Sequence, residues 1–365
     1  MPIARRKLAI VIPATLVLVA LLLAVGYHFG LASVFGARSV TASSLTDLAP
    51  ADANFVLYAD LAALRTSPLL QPLQSIASNT QQDASYTTFV RATGFDYERD
   101  LDRLVLFWRK PTNSGPNEVI AVGEGRFDRE KIRNYALANG TLTRSGSKEV
   151  YLIKSDTPGK TVALAFLGEN RIAISDSGNL DALLLPATSR EAGGDSSAAQ
   201  DFSTRVERVS GAPLFAVWRA SSLPQNFAPG GIQSQQLTDL VRSLRWVNVA
   251  MQPMTDRLRL TFEGECDTPD QAATLEGALS TLRLFADGML TSQGTKNQMN
   301  PQTLTLLHQL LDSAAISHND RWVNFSLDLS QELLQYAAQH VKQAPAPPSP
   351  GGAPPPPPAA PPSPR

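Results

Sequence analysis

An almost unbroken run of apolar residues occupies positions 8–27, near the start of the chain. Three cations, Arg5, Arg6 and Lys7, stand directly before it. A helix of about 20 residues is about 30 Å long, which matches the hydrocarbon core of a bilayer. The run therefore predicts one transmembrane helix at 8–27, and every other interpretation of the chain has to accommodate it.

A cleaved signal peptide is the alternative interpretation of this run. It requires a processing site of small residues, and Val40-Thr41-Ala42 is a poor one that lies far beyond the run. We therefore favour an uncleaved anchor. Because only Arg38 follows the run soon after, the positive-inside rule places residues 1–7 in the cytoplasm. A juxtamembrane linker at 28–46 then leads to a body outside the plasma membrane, in the periplasm or the extracellular space.

The charge balance argues against a polyanionic partner. The chain has 32 Lys and Arg against 33 Asp and Glu and a formal net charge of −1. Proteins that bind nucleic acids need a basic patch or stripe to neutralise phosphates. The sequence predicts no nucleic-acid partner, and it predicts that residues 8–27 bind the lipid bilayer by insertion rather than by charge.

The chain has a single cysteine, Cys266. One cysteine allows no intramolecular disulfide and no thiolate zinc cluster, and none follows the apolar run to carry a lipid. Cys266 ends the alternating series Leu258, Leu260, Phe262 and Gly264, which is typical of the core-facing side of a strand. We interpret Cys266 as a buried apolar residue rather than a reactive thiol.

A proline-rich tail at 343–365 closes the chain. Proline fixes φ and supplies no N–H donor, so the tail is predicted to be a disordered, extended polyproline II chain. Its simplest role is that of a spacer. The alternative role is binding, either as a ligand for an aromatic groove or within cell-wall material.

The body between anchor and tail alternates between strand and helix patterns, which predicts an α+β fold. Short runs of β-branched and aromatic residues predict strands at 55–60, 104–108, 119–123, 150–153, 162–167, 171–175, 214–219, 247–251, 258–263 and 321–327. Helical patterns predict helices at 67–77, 129–139, 179–185, 268–290, 301–314 and 331–341.

Similar segments occur in the same order in the two halves of the body. The matching pairs are 53–58 with 212–217, 124–128 with 263–267, and 170–174 with 320–324. This order predicts an internal duplication into two related modules, each with a mainly antiparallel sheet and helices on one face.

The predicted modules cover residues 47–188 and 202–342. A linker at 189–201 separates them, because its Gly, Ser and charged residues cannot bury enough surface to order themselves. Asp128 and Asp267, which end the second pair of matching segments, are each predicted to cap the helix that follows.

The search for catalytic motifs returns no candidate residue. Ser145 and Lys148 have the S-x-x-K spacing of penicillin-recognising enzymes, but a glycine and a strand pattern replace the helix that this motif requires. The histidines do not pair at metal-ligand spacing: His28, His308, His318 and His340. We therefore nominate no catalytic residue, no cofactor-binding residue and no metal ligand, and we predict no cofactor.

Two further groups of residues have structural interpretations. The carboxylates Glu98, Asp100 and Asp102 alternate with Arg99 and Arg103, which indicates a solvated face that neutralises itself. The tryptophans fall on or beside strand patterns, so we assign them to core packing rather than to a ligand platform: Trp108, Trp218, Trp246 and Trp322.

Residues 45–64, which include a Pro-Ala-Asp turn before the first strand, resemble a group of uncharacterised bacterial membrane-anchored proteins with an exported domain of unknown function. The resemblance implies a bacterial cell-envelope protein at the inner membrane. It covers only this opening segment and assigns no functional residue.

These observations predict a single-pass envelope protein with a non-catalytic interaction or scaffolding role. Its partner would be an envelope protein or the cell wall, bound through the body or the tail. An extracytoplasmic, hydrolase-like enzyme with dispersed site residues is the alternative. A convergent polar pocket would favour the enzyme, whereas an exposed apolar surface would favour the interaction module.

Overall fold

A computed structural model describes residues 43–50, 52–70, 84–109, 118–155, 160–184, 196–222, 244–292 and 299–341. The predicted anchor at 8–27 and the predicted tail at 343–365 lie outside these ranges. None of the helices within them has the length and apolarity needed to cross a membrane.

The first half of the body contains seven strands and six helices within the described ranges. In chain order they are α1 (Ser43–Thr46), β1 (Ala53–Asp60), α2 (Leu61–Arg65), α3 (Ala84–Thr93), α4 (Tyr97–Asp100), β2 (Leu101–Arg109), β3 (Glu118–Gly125), α5 (Arg129–Asn139), β4 (Gly140–Ser145), β5 (Lys148–Lys154), β6 (Thr161–Phe166), β7 (Arg171–Ser175) and α6 (Asp181–Leu184).

The second half contains five strands and four helices within the described ranges. They are α7 (Ser196–Val209), β8 (Leu214–Arg219), β9 (Leu244–Pro253), β10 (Arg257–Cys266), α8 (Pro269–Thr291), α9 (Pro301–Asp312), β11 (Ala315–Asn319), β12 (Trp322–Ser330) and α10 (Gln331–Val341). Short 3-10 turns at Pro68–Leu70 and Ala220–Ser222 follow α2 and β8.

The twelve strands form one antiparallel sheet in the order β11-β12-β10-β9-β8-β1-β2-β3-β7-β6-β5-β4. The first strands of the two halves, β1 and β8, pair at its centre. First-half strands lie on one side of this pair and second-half strands on the other. The predicted mixed α+β fold with antiparallel pairing is confirmed, and the two predicted modules share a single sheet.

Both faces of the sheet are buried. The face that we call the front carries Tyr58, Phe107 and Trp246. The back face carries a second cluster that includes Leu106 and Leu260. Because neighbouring residues of a strand point to opposite faces, strands buried on both sides read as continuous apolar runs, which is the pattern that marked them in the sequence.

Helices cover both faces, whereas the sequence predicts helices on one face. On the back, α5 packs through Ile132 and α8 through Leu275. On the front, α7 packs through Phe202, Val206 and Val209. These three residues recur at helical spacing, so the sheet lies under one apolar stripe of α7.

Helix α7 begins at Ser196, inside the range assigned to the linker at 189–201. Of the predicted helix at 67–77, the described part is the 3-10 turn Pro68–Leu70, and the rest lies outside the described residues. The sequence patterns did not predict the short helices α1, α2 and α4, the longer helices α3 and α7, or the strands β4 and β11. The two strands were missed because they are edge strands with largely exposed side chains.

The cap prediction is confirmed for Asp128 and wrong for Asp267. Asp128 caps α5 and accepts a hydrogen bond from the Lys131 N–H at 3.1 Å. In the second half Thr268 is the N-cap of α8, so Asp267 lies one residue before it. The hydroxyl of Thr268 accepts from a first-turn N–H group in the way that a capping carboxylate would.

Candidate functional site: an exposed apolar patch on α8

Three large apolar side chains are exposed on α8. Leu282, Leu284 and Phe285 are 48%, 73% and 64% exposed, and we call them the α8 patch. The other exposed large apolar side chains of the described ranges stand singly on their elements: Leu137 on α5, Leu142 on β4, Ile174 on β7 and Met254 after β9. Clustered apolar exposure marks an interaction surface more often than scattered residues do.

The sequence fixes the start of α8 firmly. The Thr268 hydroxyl accepts from the Gln271 N–H at 3.2 Å, and the Gln271 side chain accepts from the Thr268 N–H at 3.2 Å. This reciprocal capping box satisfies donors that the first helical turn leaves free. Ala272 and Leu275 then pack in a buried cluster with Cys266. The first half of α8 is therefore held against the sheet.

The second half of α8 is mostly uncovered. From Thr281 to Gly288 every residue except Ala286 is exposed. Arg283 and Asp287 stand two positions to either side of Phe285, and residues two apart point to different sides of a helix. The charges therefore lie away from Phe285. By the same rule Leu282 and Leu284 point to different sides of the helix with Phe285 between them, and Asp287 adjoins Leu284 three positions earlier.

Two histidines flank α8 and pair with its carboxylates. His308 of α9 faces Asp287, with 3.5 Å between Nδ1 and Oδ1. His318 of β11 faces Glu276, with 2.5 Å between Nδ1 and Oε2. Each histidine contacts one carboxylate on the helix surface, which is a positioning contact for α9 and β11.

An ionic row crosses the front of the first half. Its residues pair in register on four adjacent strands, and we call them the first row: Asp60, Arg103, Glu124 and Arg171. Side-chain nitrogen to oxygen distances along the row are 3.7, 3.0 and 3.1 Å. Carboxylates and guanidinium groups alternate, so each charge faces a charge of opposite sign.

The corresponding row of the second half contains two tryptophans. Its in-register residues form the second row: Arg219, Trp246, Glu265 and Trp322. Arg205 of α7 binds both carboxylate oxygens of Glu265, the shorter distance being 2.7 Å, and its guanidinium lies 5.4 Å from the Trp246 ring centre. Glu265 is only 1% exposed, so this ion pair is removed from water.

Several buried polar atoms near these rows have no hydrogen-bond partner within the described part of the chain, among them Tyr58 Oη and Asn248 Oδ1. Burial raises the pKa of Tyr58, and the nearby Asp60 carboxylate adds to the effect. Burial also raises the pKa of Asp60, against the Ala63 N–H and Arg103, which favour the carboxylate. The charged groups of the first row contact one another, so this row stabilises the sheet and offers no open reacting group.

The structure places the remaining sequence candidates as follows. Cys266 is buried, as predicted, and burial raises the pKa of its thiol. Ser145 and Lys148 pair across a two-residue hairpin turn, with a positive φ of 57° at Gly146. That φ favours glycine and is typical of a hairpin, so the S-x-x-K spacing is a turn here.

The interpretation of the acidic and basic residues around 98–103 as a solvated face is wrong in part. Asp100 is buried and binds Arg99 at 2.6 Å, which lowers the pKa of that carboxyl. Arg103 belongs to the first row. The charges do neutralise one another, but the strand β2 carries Arg103 onto the sheet. No group of three or more possible metal-ligating side chains occurs in the described ranges.

The prediction that the tryptophans pack in the core is confirmed in full for two of the four. Trp218 and Trp246 are buried, and Trp108 and Trp322 are half-buried.

The exposure of the α8 patch was not predicted. A signal was present, because Leu282 and Leu284 lie two positions apart and therefore point in nearly opposite directions, so that one buried stripe cannot accommodate both.

Comparison with known proteins assigns no family. No family model matches the chain, and no curated protein matches it. Solved structures of TP0453 are similar at low identity. Crystal form III has 9% identity and a TM-score of 0.38 and covers 84% of this chain and 99% of that one. Crystal form I has 9% identity and a TM-score of 0.34 and covers 79% and 93%. At these values the similarity assigns neither fold nor function.

Proposed function

We propose that the chain is a single-pass, membrane-anchored protein of the bacterial cell envelope whose body is a non-catalytic interaction or scaffolding module. The observation that carries this proposal is the α8 patch. Leu284 and Phe285 are adjacent and more than half exposed, on a helix whose first half packs against the sheet and whose second half is mostly uncovered. Clustered aromatic and aliphatic side chains are what a protein partner can bury at the centre of an interface.

The location rests on the sequence. The apolar run at 8–27 and the cations before it support an anchor with a cytoplasmic N-terminus and a body in the periplasm or outside the cell. The resemblance at 45–64 supports a bacterial inner membrane. The proline-rich tail at 343–365 would extend from the body as a spacer or as a second contact with an envelope protein or the cell wall.

The organisation that we propose is an internal duplication of two related modules. Strands of the two halves follow the same order outward from the central β1–β8 pair, namely β1-β2-β3-β7 and β8-β9-β10-β12. An irregularity in pairing occurs at Leu101 in the first half and at Leu244 in the second. Each of these leucines lies over a glycine, Gly123 and Gly264 respectively.

These equivalent positions change the register of the duplication. In the structure Glu124 is equivalent to Glu265. The sequence similarity instead matches Glu124 with Glu263, so the structural alignment of the two halves is shifted by two residues. The N–H groups that follow also behave alike, since Gly125 donates to the Asn170 carbonyl at 3.0 Å and Cys266 donates to the Arg321 carbonyl at 2.8 Å. Shared local geometry at matching strands supports a common origin of the halves.

The alternative, an extracytoplasmic enzyme, would need polar groups that are open to a substrate. The polar groups of the first row are paired with each other across the sheet. Those of the second row are covered by α7, which places Arg205 on Glu265. We therefore retain the interaction module.

The proposal is tested by partner capture from membranes that contain the full chain. Phe285→Asp puts a charge into the α8 patch and should reduce the yield of a cross-linked partner by about tenfold or more, which corresponds to about 1.4 kcal/mol. Met254→Asp changes a single exposed apolar residue elsewhere and serves as the matched control. Equal capture by the two variants would remove the patch from the interaction surface.

A further inference from the structure

We propose that the free edge of β4 binds an acidic extended segment of a partner protein by strand addition. This site is separate from the α8 patch, because β4 and α8 lie at opposite ends of the twelve-stranded sheet. β4 is the last strand in the order, and no strand of the described ranges pairs with its outer edge. An unpaired edge presents a row of N–H and C=O groups, which another extended chain can match.

The exposure of β4 fits an open edge. Its four central residues, Thr141 to Arg144, are all exposed, and Leu142 is 43% exposed. Helices pack beside both edge strands, α5 beside β4 and α8 beside β11, and both strands leave most of their side chains exposed. The charge beside each strand therefore decides which edge a charged partner would choose.

The charge beside β4 selects the chemistry of the partner. Residues 129–154 contain six Lys and Arg against two Asp and Glu, although the chain as a whole is close to neutral. The hydrogen bond from Tyr151 lowers the pKa of Glu149, and the charges of Arg133 and Arg129 on α5 and of Arg144 on β4 add to the effect. Three guanidinium groups therefore act electrostatically on one acidic side chain.

Part of this excess charge lies at the edge: Arg144 is on β4 and Arg133 acts on Tyr151 of the adjacent strand β5, whereas Arg129 stacks on Phe166 of β6 at 4.8 Å. Arg144 pairs in register with Glu149, and Leu142 pairs with Tyr151. The Tyr151 hydroxyl donates to Glu149 at 2.7 Å. The side chains of paired residues lie on the same face of a sheet. An acidic residue in an added strand beside Arg144 would therefore lie on the face that α5 covers with Arg129 and Arg133.

A charged residue on an edge strand also has a simpler role, which is to prevent aggregation between edges. One charge on β4 is sufficient for that role. Two further arginines on a neighbouring helix do not lie on the edge and add nothing to it. A bilayer surface would also attract the arginines, but it has no alternating row of N–H and C=O groups at the spacing of a strand. An acidic peptide can therefore bind both the arginines and the free edge, whereas lipid can bind only the arginines.

The test uses the full chain in detergent micelles and a labelled short peptide of alternating Val and Glu. The peptide should bind saturably, and the matched peptide of alternating Val and Lys should not. Methylation of the backbone nitrogens of the Val-Glu peptide should weaken binding by about tenfold or more, because it removes the donors that strand addition requires. Undiminished binding of the methylated peptide would overturn the proposal.

Two variants test the residues. Arg144→Glu should weaken binding of the Val-Glu peptide by about tenfold or more. Arg245→Glu makes the same change of charge at an exposed arginine of the second half and should leave binding within about twofold. Equal weakening by both variants, or no binding by the unmodified chain, would overturn the proposal. Arg144 would then have only the role of preventing aggregation between sheet edges. Neither result would alter capture through the α8 patch, so the two proposals fail separately.

Discussion

The two halves of the body stabilise the same strand positions in different ways. The first row alternates carboxylates and guanidinium groups, each within 3.7 Å of the next. The second row has tryptophans where the first has Arg103 and Arg171. Its single carboxylate, Glu265, is almost fully buried, and its charge is neutralised chiefly by Arg205 of α7, the helix that covers the front face.

This difference shows what each arrangement needs. The first row is complete within the sheet, because every member finds a partner on the adjacent strand. The second row depends on α7, whose Arg208 stacks on Trp322 at 4.0 Å while Arg205 stacks on Trp246. A row with aromatic members gains packing area, but its carboxylate depends mainly on one helix, because the second cation, Arg321, lies farther from Glu265, at 3.7 Å.

The largest effect is expected when Glu265 is neutralised. Glu265→Gln removes the carboxylate that Arg205 binds, inside the protein, and should lower the free energy of unfolding by about 3–5 kcal/mol. Chemical denaturation of the full chain in detergent micelles measures this loss.

The matched change in the first row is Glu124→Gln. Arg103 retains Asp60 at 3.7 Å, and the Glu124 side chain is partly exposed, so the expected loss is about 1–2 kcal/mol. Similar losses for both variants would show that the second row does not depend on α7 as described.

The next effect compares Gly125 with its counterpart, Cys266. A Cβ on Gly125 would lie 2.3 Å from the Asp100 carbonyl oxygen, which belongs to the backbone and cannot turn away. Gly125→Ala should therefore cost about 2–3 kcal/mol through overpacking. Cys266→Ala removes a buried sulfur and should cost about 1 kcal/mol. Thermal unfolding measures both, and a harmless Gly125→Ala would contradict the close approach.

Much of the fold could be predicted from the sequence, because the strands are buried on both faces. The predicted strands at 171–175 and 214–219 coincide with β7 and β8, and the helix at 129–139 coincides with α5. β4 could not be predicted, because its side chains are exposed and lack an apolar period. The α7 signal at Phe202, Val206 and Val209 was present but lay beside a segment rich in Gly and Ser.

The site could be predicted only in part. Helix α8 was expected from its sequence, but the exposure of Phe285 depends on how far the sheet extends beneath the helix. The two rows depend on strand register, which brings together residues such as Arg103 and Glu124 that are distant in sequence. The convergence of Arg133 and Arg144 on Glu149 likewise appears only once α5 lies on the sheet.

The smallest expected effect is on the pH dependence of stability, which should differ in sign between one carboxyl group of the first half and one of the second. Burial raises the pKa of Asp60 above its ordinary 3.8, so its contribution to stability is fully present below pH 3.8 and is lost as the pH rises through the folded-state pKa. Two hydrogen bonds from Arg259 lower the pKa of Asp328, so its contribution is present above pH 3.8 and is lost as the pH falls through the folded-state pKa.

Asparagine at each position removes the charge, and at Asp60 it preserves the helix cap that accepts from Ala63 at 2.6 Å. Between pH 7 and pH 2, the stability of Asp60→Asn relative to the unmodified chain should fall as the solution is acidified, because the unmodified carboxyl recovers stability on protonation. That of Asp328→Asn should rise, because the unmodified chain loses its ion pair. Each change should be about 1 kcal/mol or less, because the Ala63 N–H and Arg103 oppose the raised pKa of the buried Asp60 and because the Arg259–Asp328 ion pair is partly exposed to solvent. Denaturation curves at several pH values give both slopes, and slopes of the same sign would mean that the halves do not differ in how they hold their carboxylates.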